Sequence, residues 1–265
     1  MKRLLTIALV ALFALSASAQ NYTFLKGIRY KNSQDPYVRE KCQLDVAFKQ
    51  GATDRPVIVW FHGGGLIGGY RELPEALLTK DYVVVGVGYR FSPKASFPEI
   101  LDDAAAAVAW TFAHIAEYGG SPDKVYIAGH SAGGYIVAMI GLDKRYMAPY
   151  GIDPDSCAGI CPMSGQMMSH FNERALRGVD PLTPEINDLS PIAHMRPDCP
   201  PMLLVTGDRE LELFGRYEEN AYFWRMMKLK GHKDIVLYEE DGLDHGGMLA
   251  PGFRLIMEFV SKRER

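Results

Sequence analysis

The sequence predicts an α/β domain built on a mostly parallel sheet flanked by helices. Apolar runs rich in β-branched residues alternate with longer stretches of helix-forming composition, as a sheet covered by helices requires. Several of the runs are apolar throughout, which marks strands buried on both faces.

Taken in order, residues 24–31 and 42–48 alternate in polarity and are expected to open the sheet as an antiparallel hairpin at its edge. Residues 56–61, 82–89, 124–128, 157–162, 202–206 and 234–239 then supply the following strands. Helical patterns over 98–118, 132–142 and 217–230 connect one strand to the next. Residues 165–196 break this rhythm, with mixed polarity, Pro181, Pro184 and Pro191 and no strong strand. They are read as a small cap-like insertion over the end of the sheet, with a plain surface connection as the alternative.

The 265 residues, 48% hydrophobic and 23% charged, suit one domain with a sizeable core. Lys2 and Arg3 precede an apolar run over residues 4–15, and Ala17-Ser18-Ala19 offers small residues for cleavage, the pattern of a secretory signal peptide. Twelve residues rise about 18 Å as a helix against a hydrocarbon core of roughly 30 Å, so a membrane span is not expected. The expected division is therefore a signal peptide over 1–19 and a mature domain over 20–265, periplasmic or extracellular. Loss of Lys2 and Arg3 takes the formal charge from −3 (29 cations against 32 anions) to −5 (27 against 32), which leaves no basic footprint for nucleic acid. Cys42, Cys157, Cys161 and Cys199 could form disulfides in an oxidising compartment, although the chain is large enough to fold without them, and Cys157 and Cys161, with no ligand set beside them, read as core residues. Neither metal nor cofactor is expected.

The strand over 124–128 runs into Gly129-His130-Ser131-Ala132-Gly133-Gly134 and then a helix. A Gly-x-Ser-x-Gly turn between strand and helix lifts the serine oxygen above the sheet, at a helix N-terminus that favours negative charge. The earlier strand over 56–61 ends in His62-Gly63-Gly64-Gly65. Glycines there let backbone N–H groups face a ligand, and Gly64, Gly65 and Ala132 are the candidates for holding an oxyanion. His130 is adjacent to the serine but is expected to pack, not to act as base.

Ser131 as nucleophile needs a base. His245 is the candidate, in the glycine-bounded loop Asp241-Gly242-Leu243-Asp244-His245-Gly246-Gly247 after the last strand. The acid that would orient it is expected after the strand over 202–206, where Asp208, Glu210 and Glu212 stand. Glu210 is ranked first, Asp208 second and Glu212 third, as a solvated surface charge.

These segments, with Tyr89-Arg90, Phe97-Pro98 and residues 119–123, give a chain that resembles the α/β-hydrolase esterases related to the hormone-sensitive lipases and the bifunctional feruloyl and acetyl-xylan esterases. The resemblance runs from about Leu44 to the C-terminal helix. It implies the α/β-hydrolase fold and hydrolysis of carboxylic esters through an acyl-enzyme, on a small-molecule or carbohydrate-linked acyl ester. In many relatives the acid is an Asp three residues after a glycine, a position that Glu210 takes here. Gly215-Arg216-Tyr217 is similar to formamidase relatives, and Asp102 and Asp103 are similar to positions that anchor loops. An amidase or peptidase on the same triad, and a non-catalytic binding protein of this fold, are the competing readings.

Overall fold

The computed structural model describes residues 22–213 and 215–264. The expected signal peptide over 1–19 lies outside them.

Eight strands form one sheet: β1 (Thr23–Arg29), β2 (Gln43–Phe48), β3 (Arg55–Phe61), β4 (Val83–Val87), β5 (Gly120–His130), β6 (Gly159–Met163), β7 (Met202–Gly207) and β8 (Ile235–Glu240). Their order is β1-β2-β4-β3-β5-β6-β7-β8, antiparallel where β2 meets β1 and β4 and parallel from there to β8. This is the α/β-hydrolase fold. The expected edge hairpin is present, with a short helix, Pro36–Lys41, inserted between its strands.

Four longer helices cover the sheet: α1 (Phe97–His114), α2 (Ala132–Leu142), α3 (Arg216–Leu229) and α4 (Leu249–Arg263). Ser96 and Glu99 start α1 with a capping box, each side chain satisfying the other's backbone N–H. Alternation along the strands divides the core between the two faces. Val57, Val59 and Phe61 of β3 pack with residues of α1, α2 and α3, while Ile58 and Trp60 pack with residues of α4. Every residue of α2 is buried, which explains its unbroken apolar sequence.

Arg90, just past β4, is clamped to the buried Asp103 of α1 by Nε at 2.7 Å and Nη2 at 2.9 Å, and Lys31 bridges Asp102 and Asp103 at 2.5 Å each. These aspartates tie the ends of β1 and β4 to α1. The four cysteines are all free and buried. No helix among the described residues is long and apolar enough to cross a membrane.

Candidate active site

Parallel strands all present their carboxyl ends on one edge, and the loops leaving β3, β5, β6, β7 and β8 converge there. Ser131 stands between β5 and α2 with φ 56°, a left-handed conformation that a non-glycine residue adopts only under constraint. Glycines around it permit this turn. A Cβ on Gly133 would overlap the carbonyl of Phe61 at the end of β3, so the elbow packs backbone on backbone. The Ser131 N–H donates to the Met163 carbonyl at 2.8 Å, which pins the serine to the end of β6.

The loop after β3 lies beside the serine, since a Cβ on Gly63 would come within 3.4 Å of the Ser131 Cβ. Gly64 and Gly65 take φ 114° and 64°, which glycine adopts at little cost. Among the described residues no carbonyl or side chain takes up the N–H groups of Gly64, Gly65 or Ala132. His62 steadies this loop. Its Nδ1 lies 2.6 Å from the Gly63 carbonyl, its ring stacks on Tyr89 at 4.4 Å, and the Tyr89 hydroxyl donates to its carbonyl at 2.7 Å. Burial pulls the His62 imidazole down to about 4, so it stays neutral. Within the 165–196 segment, Asn172 donates to the Gly65 carbonyl at 2.6 Å, so this segment is packed onto the glycine loop.

His245 lies in the loop between β8 and α4, with its Nδ1 3.1 and 3.3 Å from the two carboxylate oxygens of Glu212. The Glu212 side chain is 1% exposed, against 18% for that of His245. Burial pushes the Glu212 carboxyl up, but the hydrogen bond and charge of His245, with donors from Ser164 and the Gly207 N–H, outweigh it and hold the group at about 2. Glu212 is therefore an ionised carboxylate at any working pH. Among the described residues the other imidazole nitrogen, Nε2, has no hydrogen-bond partner, and neither has the Ser131 hydroxyl.

The ranking of the three carboxylates is corrected by this geometry. Residues 208–212 form one helical turn in which the Asp208 carbonyl accepts from the N–H of Leu211 and of Glu212, each at 2.9 Å. Residues two apart on such a turn point to nearly opposite sides. Glu212 therefore faces inward, where Oε1 accepts the Gly207 N–H at 3.2 Å, and Glu210 faces solvent. Asp208 is spent on the loop, accepting from the N–H of Glu210 and of Gly242 at 2.8 Å each. Counting from Gly207 selects a position on the wrong side of the turn.

His130 packs, as expected, but against His245: its Nε2 lies 2.9 Å from the His245 carbonyl and the rings are 4.6 Å apart. Burial lowers its imidazole to about 4. Two residues left without a role in the site by sequence reasoning complete it. Ser164 follows β6 with φ 47°, fully buried, and its hydroxyl lies 3.0 Å from His245 Nδ1 and 2.9 Å from each Glu212 oxygen. Arg216, the first residue of α3, is buried and donates to the Ser164 carbonyl. The placement of Ser164 at a strand's carboxyl end was the available signal.

His245 packs on His130, the residue before the constrained Ser131, and an imidazole held against a buried carboxylate is a group that can pass a proton from a hydroxyl to a leaving group while open N–H groups hold an oxyanion. The signature described as "Prolyl oligopeptidase family" matches residues 99–256, and one described as "BD-FAE" matches residues 44–148. Esterase LipC of Mycobacterium tuberculosis is 29% identical over 214 residues, covering 74% of this chain and 52% of LipC. The hormone-sensitive lipase of Ictidomys tridecemlineatus is 29% identical over 142 residues, 51% of this chain and 18% of the lipase. The chain thus spans about half or less of these relatives' length. A truncated carbohydrate esterase from gut microbiota superposes with a TM-score of 0.73 at 16% identity, covering 92% of this chain and 97% of that one, a likeness of fold. The chain belongs to the prolyl oligopeptidase family of α/β-hydrolases and is related to the hormone-sensitive-lipase-like esterases.

Proposed function

We propose that the chain is a serine carboxylic ester hydrolase in which Ser131 is the nucleophile, His245 the base and Glu212 the acid. The observation that carries this reading is the ionised, buried Glu212 on Nδ1 of His245, whose ring packs 4.6 Å from that of His130, the residue before the constrained Ser131. Ser131 Oγ attacks the ester carbonyl as Nε2 takes its proton. The charge gathering on the carbonyl oxygen meets the N–H groups of Gly64, Gly65 and Ala132. His245 returns the proton to the departing alcohol, and water repeats the sequence on the acyl-enzyme to release the acid.

The expected export and the likeness to a carbohydrate esterase support acyl groups on polysaccharides as substrate and a place outside the cytoplasm. The prolyl oligopeptidase signature favours a second reading, an amide or peptide bond on the same residues. Turnover of p-nitrophenyl acetate by the purified protein, set beside an aryl formamide and a peptide anilide, separates the two. Ser131→Ala is expected to abolish turnover and labelling by a fluorophosphonate while keeping the fold. Undiminished turnover by that variant would overturn the proposal.

A further inference from the structure

We propose that Ser164 is a positioning residue whose hydroxyl locks the imidazole of His245 and the carboxylate of Glu212 into one orientation. The inference rests on the serine-hydrolase reading and adds a fourth side chain to it. A hydroxyl has one proton to give and lone pairs to accept with. Here the proton goes to the Glu212 carboxylate, both of whose oxygens lie 2.9 Å away, and a lone pair faces the Nδ1–H of His245 at 3.0 Å.

The direct bonds between His245 and Glu212 are 3.1 and 3.3 Å, longer than about 2.7–2.9 Å for a well-seated charged pair. The shortest contact on Nδ1 is therefore to Ser164, and the hydroxyl closes a triangle that the pair alone holds loosely. The backbone of Ser164 has no freedom to withdraw. Its N–H donates to the Val205 carbonyl on β7 at 2.7 Å, and its carbonyl accepts from the buried Arg216 guanidinium. Fixed on both sides at φ 47°, the residue is fully buried with its hydroxyl on the two reacting partners. Met163, its neighbour, holds the Ser131 N–H, so one short segment positions nucleophile, base and acid together.

The test uses two variants with opposite effects on the backbone. Ser164→Ala removes the hydroxyl and keeps the strained conformation, whereas Ser164→Gly removes it and relieves the positive φ. Steady-state kinetics on p-nitrophenyl acetate are expected to show kcat lowered about 10- to 100-fold in both, with KM within about twofold. Ser164→Gly combined with Glu212→Gln is expected to lose less kcat than the product of the two single losses, because hydroxyl and carboxylate hold the same imidazole and each other. A cooperatively melting Ser164→Gly protein with wild-type kcat would overturn the proposal, as would a double variant whose loss is the product of the two single losses. The underlying reading fails differently. A wild-type protein without turnover, or one labelled by fluorophosphonate at Ser164 in place of Ser131, overturns both.

Discussion

Replacing Glu212 by glutamine keeps the side chain's size and removes its charge, so it isolates the electrostatic part of the acid's work. The carboxylate lies 3.1 Å from His245 Nδ1. At an effective dielectric of about 20, a unit charge at that distance stabilises the transient imidazolium by roughly 5 kcal/mol. At about 1.4 kcal/mol per factor of ten, this amounts to roughly 10,000-fold in kcat. A drop of about that size accompanies the equivalent amide substitution in a serine protease triad. KM is expected to change little, because the charge matters only once the imidazole is protonated. Glu210→Gln, on the solvent side of the turn, is expected to stay within about threefold of wild type, since exposed charges act weakly. The assay is kcat and KM on p-nitrophenyl acetate, with a fluorophosphonate labelling rate as a second readout. A Glu212→Gln enzyme within tenfold of wild type, or a Glu210→Gln enzyme crippled a thousandfold, would refute the assignment.

Two further predictions concern the scaffold of the site. His62 and His130 are both held at about 4 by burial, below an ordinary 6.5, so an unfolded chain binds protons between pH 6.5 and 4 that the native protein refuses. Their contribution is complete above pH 6.5 and is lost as pH falls toward 4. The thermal midpoint should decline through that window, and His130→Gln, which keeps a donor for the His245 carbonyl, should flatten the decline. An unchanged slope would remove His130 from the account. Gly133→Ala drives a Cβ into the Phe61 carbonyl, which backbone has to yield, and should destabilise the protein by about 1–3 kcal/mol while lowering kcat. A variant melting and turning over like wild type would show that the elbow is looser than described.

The strands and long helices were legible because their signals are local. Alternation or continuity of apolar residues sets which faces are buried, and α2, fully apolar and fully buried, was bounded at 132–142 by sequence alone. Ser131 and the glycine loop were legible for a related reason: a backbone that must approach another backbone closely leaves only glycine at defined positions, which is visible in a string of letters. The loop that carries His245 was legible from its glycines after the last strand. Glu212 was misranked because the choice among three carboxylates depends on the phase of a single turn, and Asp208-Arg209-Glu210-Leu211-Glu212 has no glycine or proline to fix that phase.

What the sequence by itself determined is the set of elements, their order, and the chemical types delivered to one edge of the sheet. These follow from side-chain periodicity and backbone sterics, which act over a few residues. Only the tertiary structure decided which carboxylate meets the imidazole, that Ser164 joins them, and that Arg216 and the Val205 carbonyl hold Ser164 in place. Those outcomes depend on ångström-scale distances between segments as far apart as residues 164, 212 and 245. Such distances are set by how the whole sheet packs against its helices, and no local pattern encodes them.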